Sequence, residues 1–199
     1  MDYEELSRRV GARPLLRRRE HAVLVPVVEV DGESSLLFEK RAATLRTQPG
    51  EICLPGGSVE AGETPLAAAC REMEEELGLG GELVQAGPPL PPAYHRLGEV
   101  TYPFLAHLTP EWREGLRWER AEVAEVFTVP LAFFQQTPPE RYVCRILTVP
   151  PEGFPNEKIG FPQGYRWAEG EMEVPLWMWE GRAIWGLTAR IVCSLLEAL

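Results

Sequence analysis

A glycine-bearing stretch, Gly57-Ser58-Val59-Glu60-Ala61-Gly62-Glu63, is followed after seven residues by Arg71-Glu72-Met73-Glu74-Glu75-Glu76-Leu77-Gly78-Leu79. The second stretch holds four carboxylates within five residues. On a helix, at about a hundred degrees per residue, Glu72 and Glu76 lie one turn apart on one side, and Glu75 joins them. Glu74 is expected to point elsewhere, nearer Arg71. Like charges at this spacing cost roughly 0.2–0.5 kcal/mol per pair on an exposed helix. Partial burial raises that cost and pushes one pKa upward. A hard divalent cation removes the repulsion. Magnesium takes oxygen ligands from a few carboxylates and completes its shell with water and phosphate oxygens. A backbone carbonyl at the Gly56-Gly57 turn would add another oxygen. These residues suit cation-assisted chemistry on a phosphate chain.

The helix that carries them is expected to start at Thr64, a good N-cap, with Pro65 in the first position, and to stop at Gly78. Leu66, Ala69, Cys70, Met73 and Leu77 form its apolar stripe, which must face a core. Upstream, residues 22–30 and 35–40 flank Asp31-Gly32 and read as a β-hairpin. Residues 41–50 read as a loop and 51–54 as a short strand ended by Pro55-Gly56-Gly57. Residues 2–10 suit a short helix, and the basic stretch 13–19 a solvated connector. Further strands are expected at 82–86, 100–107, 123–129, 142–149 and 174–179. Proline-rich breaks at 88–92 and 138–139 separate some of them. Residues 150–170 read as a loop or lid. Residues 183–196 read as a terminal helix with Ile184, Leu187, Ile191 and Leu195 on one face. Strands and helices do not alternate regularly, which disfavours a doubly wound parallel fold. The division expected is an N-terminal helix and connector over 1–20 and one domain over 21–199.

Composition sets outer bounds. The chain has 199 residues, 45% of them apolar, enough for a sizeable core. Its net charge of −10 argues against broad binding of nucleic acid or anionic membranes, which needs a basic field. An anionic small-molecule substrate stays compatible, because a bound cation reverses the local sign. Cys53, Cys70, Cys144 and Cys193 are widely spaced with no Cys-x-x-Cys pair, so four small buried hydrophobes are expected rather than a zinc cluster or disulfides. The N-terminal Met1-Asp2-Tyr3-Glu4-Glu5 is acidic with no apolar run behind it, unlike a secretory signal, and no apolar run is long enough to span a bilayer. A cytoplasmic protein is the expectation.

A Glu-rich run alone would be read as a solvated helix face. Here it comes with glycines, Glu63 and Arg71 at set distances. A chance match to all these positions is on the order of one in 10⁷ for average residue usage, so the solvated face is the poorer reading. Residues 57–79 resemble the signature of the Nudix hydrolases at Gly57, Glu63, Arg71, Glu72, Met73, Glu75, Glu76, Gly78 and Leu79. The resemblance implies a mixed α/β (α+β) fold, an α/β/α sandwich around a mixed β-sheet. It implies an enzyme that cleaves a diphosphate linked to another moiety, with Mg²⁺ or Mn²⁺ as cofactor. It also implies that Glu72, Glu75 and Glu76 carry the metal, that Arg71 orients them by ion pairing, and that Glu63 braces the loop. Gly56, Gly57 and Gly78 belong to its turns.

The segment 37–57, Leu37-Phe38-Glu39-Lys40-Arg41 through Pro55-Gly56-Gly57, is similar to a second motif of the coenzyme A pyrophosphatase subfamily. It keeps Arg41, Arg46, Gly50, Pro55, Gly56 and Gly57. It departs at Ala42, at Leu54 and at Phe38-Glu39, where that subfamily has serine, phenylalanine and a Leu-Thr pair. Residues 184–189 and 122–131 also resemble these enzymes. Arg41 and Arg46 suit phosphate binding, since guanidinium groups hold phosphate bidentately. The substrate expected is coenzyme A or a derivative, split into adenosine bisphosphate and phosphopantetheine. The alternatives are ADP-ribose or a dinucleotide, or a sensor that binds without cleaving; the sensor is disfavoured because every signature glutamate is present. Glu75 and Glu122 are both candidates for the general base. His21, His95 and His107 lack metal-type spacing, although Tyr94-His95-Arg96 could touch substrate. Trp167, Trp177, Trp179 and Trp185 suit core packing or a subunit interface, and a homodimer is compatible with them.

Overall fold

The computed structural model describes residues 2–9, 19–95 and 98–199. Helix α1 (Tyr3–Arg9) comes first, and most of the expected basic connector lies outside the described residues. Strand β1 (Glu20–Val30) then turns back into β2 (Glu33–Arg41). The turn residues Asp31 and Gly32 sit at φ 52° and 82°. Two consecutive positive-φ residues are what a two-residue hairpin loop needs, and Asp-Gly supplies them cheaply.

β1 and β2 pair directly only near that turn, Val27–Val30 against Glu33–Leu36. Further out, β3 (Ile52–Cys53) pairs with β2 and β4 (Gly56–Ser58) pairs with β1. Helix α2 (Pro65–Leu77) follows, then a 3₁₀ turn at Gly81–Leu83. β5 (Val84–Pro89) and β6 (Ala93–Tyr94) run antiparallel to β7 (Val100–Leu108). β7 itself runs parallel to β1, so the sheet is mixed. After the one-turn α3 (Trp112–Gly115), β8 (Val123–Pro130) pairs with β2 and leads into α4 (Leu131–Gln136). A second, antiparallel sheet joins β9 (Glu140–Leu147), β10 (Glu169–Trp179) and β11 (Arg182–Trp185), and α5 (Gly186–Leu196) ends the fold.

The central strands β1 and β2 are buried on both faces, and their period of two sorts the core. Ala22, Leu24, Val28 and Leu37 pack with Ala69, Met73 and Leu77 of α2. Val25, Leu36 and Phe38 pack on the other face with Phe134 of α4 and Ile191, Val192 and Leu195 of α5. The result is an α/β/α sandwich around a mixed sheet, as the sequence implied.

Several expectations need correction. The terminal helix begins at Gly186, not at residue 183. Ala183–Trp185 instead extend a strand on β10, and the left-handed Gly186 (φ 62°) makes the change of direction. Ile184 is therefore buried from a strand rather than from the helix face. β10 starts at Glu169, inside the expected loop, held by its ladder with β9. Glu82 lies in the 3₁₀ turn, and β5 runs on to Pro89. An edge strand tolerates those prolines, and its register is irregular between Ala86 and Pro89. β4, β6, α3 and α4 were not expected. The four cysteines are free thiols; Cys144 is exposed rather than buried, while Cys53, Cys70 and Cys193 are half-buried, with Cys70 and Cys193 packed against the core. Trp177 is buried and donates its indole N–H to the Thr137 carbonyl at 2.7 Å, whereas Trp185 is exposed.

Gly56 shows how tightly β4 is set. It lies at φ 149°, and a Cβ there would fall 2.2 Å from the Ala22 carbonyl oxygen. Backbone cannot retreat as a side chain can. Gly56→Ala should lower stability by about 2 kcal/mol or more, as overpacking does. Urea unfolding checks this, and an unchanged midpoint would mean that β1 and β4 part without cost.

Candidate functional site

Local sequence fixes where the glutamates of α2 point. Thr64 accepts the Ala67 N–H on its hydroxyl at 3.2 Å, and Pro65 opens the first turn. Gly78 closes the helix at φ 70°, donating to the Glu74 carbonyl at 2.9 Å. The stripe of Leu66, Ala69, Cys70, Met73 and Leu77 faces the sheet. Glu76 falls three residues after Met73 and is drawn into the buried side, with 3% exposure. Glu72 sits at the margin and Glu75 is exposed. Glu74 lies against Gly80 rather than beside Arg71, where the sequence had put it.

Arg71 ties the turn to the helix. Its Nε and one terminal nitrogen donate to both oxygens of Glu63, at 3.1 and 3.2 Å. The same terminal nitrogen donates to the Ser58 carbonyl at 3.1 Å. The other donates to Glu72 at 2.9 Å and to Glu75 at 3.0 Å. A guanidinium carries five N–H groups, and all of them are used. Glu63 also accepts the Glu60 N–H at 3.1 Å. The Arg71 hydrogen bond, helped by that amide, holds the Glu63 carboxyl below the usual carboxylate range.

Two carboxylates are buried where α2 meets the sheet. Glu76 accepts the Gly56 N–H at 2.9 Å. Its pKa is pushed up to about 9, first by burial and then by the neighbouring Glu39, with the Gly56 amide and Arg41 opposing. Glu39, on β2, is 1% exposed. It accepts the Cys53 thiol at 3.2 Å on Oε1, while its Oε2 is buried with no hydrogen-bond partner among the described residues. Burial raises its pKa to about 7; the Cys53 hydrogen bond and Arg41 lower it, and Glu122 and Glu72 raise it.

Sequence reasoning marked Glu39 only as a departure from a related pattern and missed it as a site residue. The signal was present: an acidic residue on a strand whose neighbours Leu36, Leu37 and Phe38 face cores on both sides.

The structure brings Glu72, Glu76, Arg41 and Glu122 into one electrostatic neighbourhood with Glu39. Gly57 belongs to it, since a Cβ there would fall 2.4 Å from the Glu72 carboxyl carbon. Arg41 ends β2 at a bulge and donates to the Thr47 carbonyl at 3.4 Å. Arg46 is exposed on the loop beyond it. Glu122 precedes β8, and its carbonyl accepts the Ala42 N–H at 2.7 Å. Among the described residues, no three acidic, histidine or cysteine side chains already close around one point. Arg71 holds Glu72 and Glu75 instead. The oxygens that could hold a hard cation are those of Glu72, Glu75 and Glu76 with the Gly57 carbonyl.

His95 lies elsewhere. With Tyr94 and Arg190 it lines an open cleft of about 660 Å³, and it pairs with Thr101 at 3.2 Å. Arg96 lies outside the described residues. No helix of the described residues is long and apolar enough to cross a membrane.

The fold has a counterpart among solved structures. A Nudix hydrolase from M. smegmatis, RenU, superposes with a TM-score of 0.50 over 61% of this chain and 76% of that one, at 23% identity, a likeness of fold alone. Residues 18–146 match the NUDIX domain, and the chain belongs to the Nudix family. It is 38% identical to Nudix hydrolase 3 of Caenorhabditis elegans over 55% of this chain and 47% of that protein. It is 36% identical to a Nudix hydrolase NudL of Enterobacter over 64% of this chain and 66% of that protein. The chain thus spans less than two thirds of these relatives. A longer match, 31% identity over 95% of this chain and 74% of the other, is to the human mitochondrial coenzyme A diphosphatase NUDT8.

The buried acids give the metal-free protein a pH signature. A carboxyl whose folded pKa is raised binds its proton more tightly in the folded than in the unfolded state. Stability then falls as pH rises from the ordinary carboxylate range through the folded value. For Glu39 and Glu76 that window runs from 4.5 to about 7 and about 9. In EDTA, the melting temperature of Glu76→Gln should gain on wild type as pH rises from 5 to 9. A constant difference across that range would contradict the raised value.

Proposed function

We propose that this chain is a divalent-cation-dependent hydrolase that splits the diphosphate of coenzyme A or a derivative into adenosine bisphosphate and phosphopantetheine. The match to the coenzyme A diphosphatase NUDT8 over 95% of the chain carries the substrate reading, because it reaches past the Nudix motif into the segments flanking it. Arg41 and Arg46, in a motif similar to that of coenzyme A pyrophosphatases, support it.

The residues fit a hard cation. Their donors are carboxylate and carbonyl oxygens, the set that Mg²⁺ and Mn²⁺ prefer. Gly57 leaves the Glu72 carboxylate the space that any side chain would occupy. Glu72, Glu75, Glu76 and the Gly57 carbonyl would hold the ion. When bound, it neutralises charge on the diphosphate and makes a water more acidic.

The chain's own groups do the rest. Arg71 sets Glu72 and Glu75 against the turn. Arg41 lies close enough to the acidic cluster to lower the Glu39 and Glu76 pKa values, and so to meet a phosphate held there. Glu75 or Glu122 takes a proton from the attacking water, whose oxygen bonds to phosphorus as the bridging P–O bond breaks. Glu75 is ion-paired with Arg71 at 3.0 Å. Glu122 precedes β8 and lies near enough to Glu39 to raise its pKa.

Coenzyme A and ADP-ribose, each incubated separately with the protein and magnesium, decide the substrate by the mass of the products. Coenzyme A should yield adenosine bisphosphate and phosphopantetheine; faster cleavage of ADP-ribose would overturn the assignment. Glu76→Gln should cut turnover by at least about 100-fold with the fold intact, the scale of a lost electrostatic contact to the reacting charge. Near-normal turnover in magnesium would remove Glu76 from the cation site.

A further inference from the structure

We propose that Glu39 is a further carboxylate of the cation site, contributed by the sheet rather than by the acidic helix. The inference rests on the reading of Glu72 and Glu76 as cation ligands. It starts from the pleat of β2. Leu36 and Phe38 pack on the α5 face of the sheet, and Leu37 packs on the α2 face. Alternation therefore sends Glu39 to the α2 face, where Glu76 is buried. Cys53, its register partner on β3, holds one of its oxygens.

The other oxygen asks for a partner that the chain does not supply. Oε2 is buried and makes no hydrogen bond within the described residues. Arg41 is near enough to act through space, yet it makes no hydrogen bond to Oε2. A buried polar atom left unsatisfied costs about 1–3 kcal/mol, and more when charged. A second acid, Glu76, beside it raises that cost, and Glu72 and Glu122 add to it. An apolar residue would avoid this penalty at this position. The same oxygen becomes favourable once a divalent cation lies between sheet and helix, because one ion then satisfies Oε2 and offsets the repulsion with Glu76. Gly56 helps to set this geometry. Its N–H fixes one oxygen of Glu76, and its own backbone is locked against β1.

Manganese binding tests the inference without relying on turnover. Free Mn²⁺ is followed by electron paramagnetic resonance in titrations of wild type, Glu76→Gln and Glu39→Gln, and each protein is melted in EDTA. Glu39→Gln should bind Mn²⁺ at least about tenfold more weakly than wild type, with a melting temperature in EDTA equal to or above the wild-type value. Wild-type affinity in Glu39→Gln, alongside weakened Glu76→Gln, would overturn the role of Glu39 and leave the helix reading standing. Loss of structure in Glu39→Gln in EDTA would also overturn it, since a carboxylate retained for an ion is not needed by the metal-free fold. Wild type that binds no Mn²⁺, or Glu76→Gln that binds it normally, would sink the helix reading itself and Glu39 with it.

Discussion

The guanidinium of Arg71 is the constraint from which the rest of the site follows. It ties the turn, through Ser58 and Glu63, to the acidic helix, through Glu72 and Glu75. Because every donor is engaged, the group has one orientation. Lysine, with a single ammonium on a flexible stem, could not reproduce it. The arrangement also places two glutamates where they are partly neutralised, so a region of dense negative charge is tolerated without a cation.

The second constraint acts from the opposite side. The helix lies on the sheet through small and apolar residues, Ala68, Ala69 and Met73, which let the two approach closely. Close approach buries Glu76 and sets it against Glu39. A low-dielectric seam with two acids in it is costly to leave as it is. The fold therefore combines a partly exposed edge, where Arg71 controls charge, with a buried seam, where among the described residues charge meets a backbone amide, a thiol and the nearby Arg41.

Much of this was legible in the sequence because it depends on local chemistry. The hairpin at Asp31-Gly32, the Thr64 cap, the Gly78 stop and the apolar stripe of α2 each follow from a few neighbouring residues. So does the family, from the spacing of glycines, glutamates and arginine. The glutamate roles were less legible. A helical wheel puts Glu72, Glu75 and Glu76 on one flank, but it cannot say that the sheet would bury Glu76 and leave Glu75 in water. Glu39 could be seen as an acid on a buried strand, but its pairing with Glu76 could not, because that depends on a helix distant in sequence. β11 was misread as helix because Ala183, Ile184 and Trp185 continue the apolar pattern of α5, and only pairing with β10 tells them apart.

The parallel ladder between β1 and β7 pairs Glu20 with Val100 and His107 with Val27. Between those strands the chain must form the hairpin, the glycine turn and the whole acidic helix. Contacts this remote in sequence are slow to establish, since the intervening segment loses its freedom before the pairing stabilises it. The β1–β2 hairpin, closed by two residues, has no such delay. The nascent molecule is thus expected to assemble outward from that hairpin, with the centre of its sheet, and the seam it shelters, among the last parts to lock.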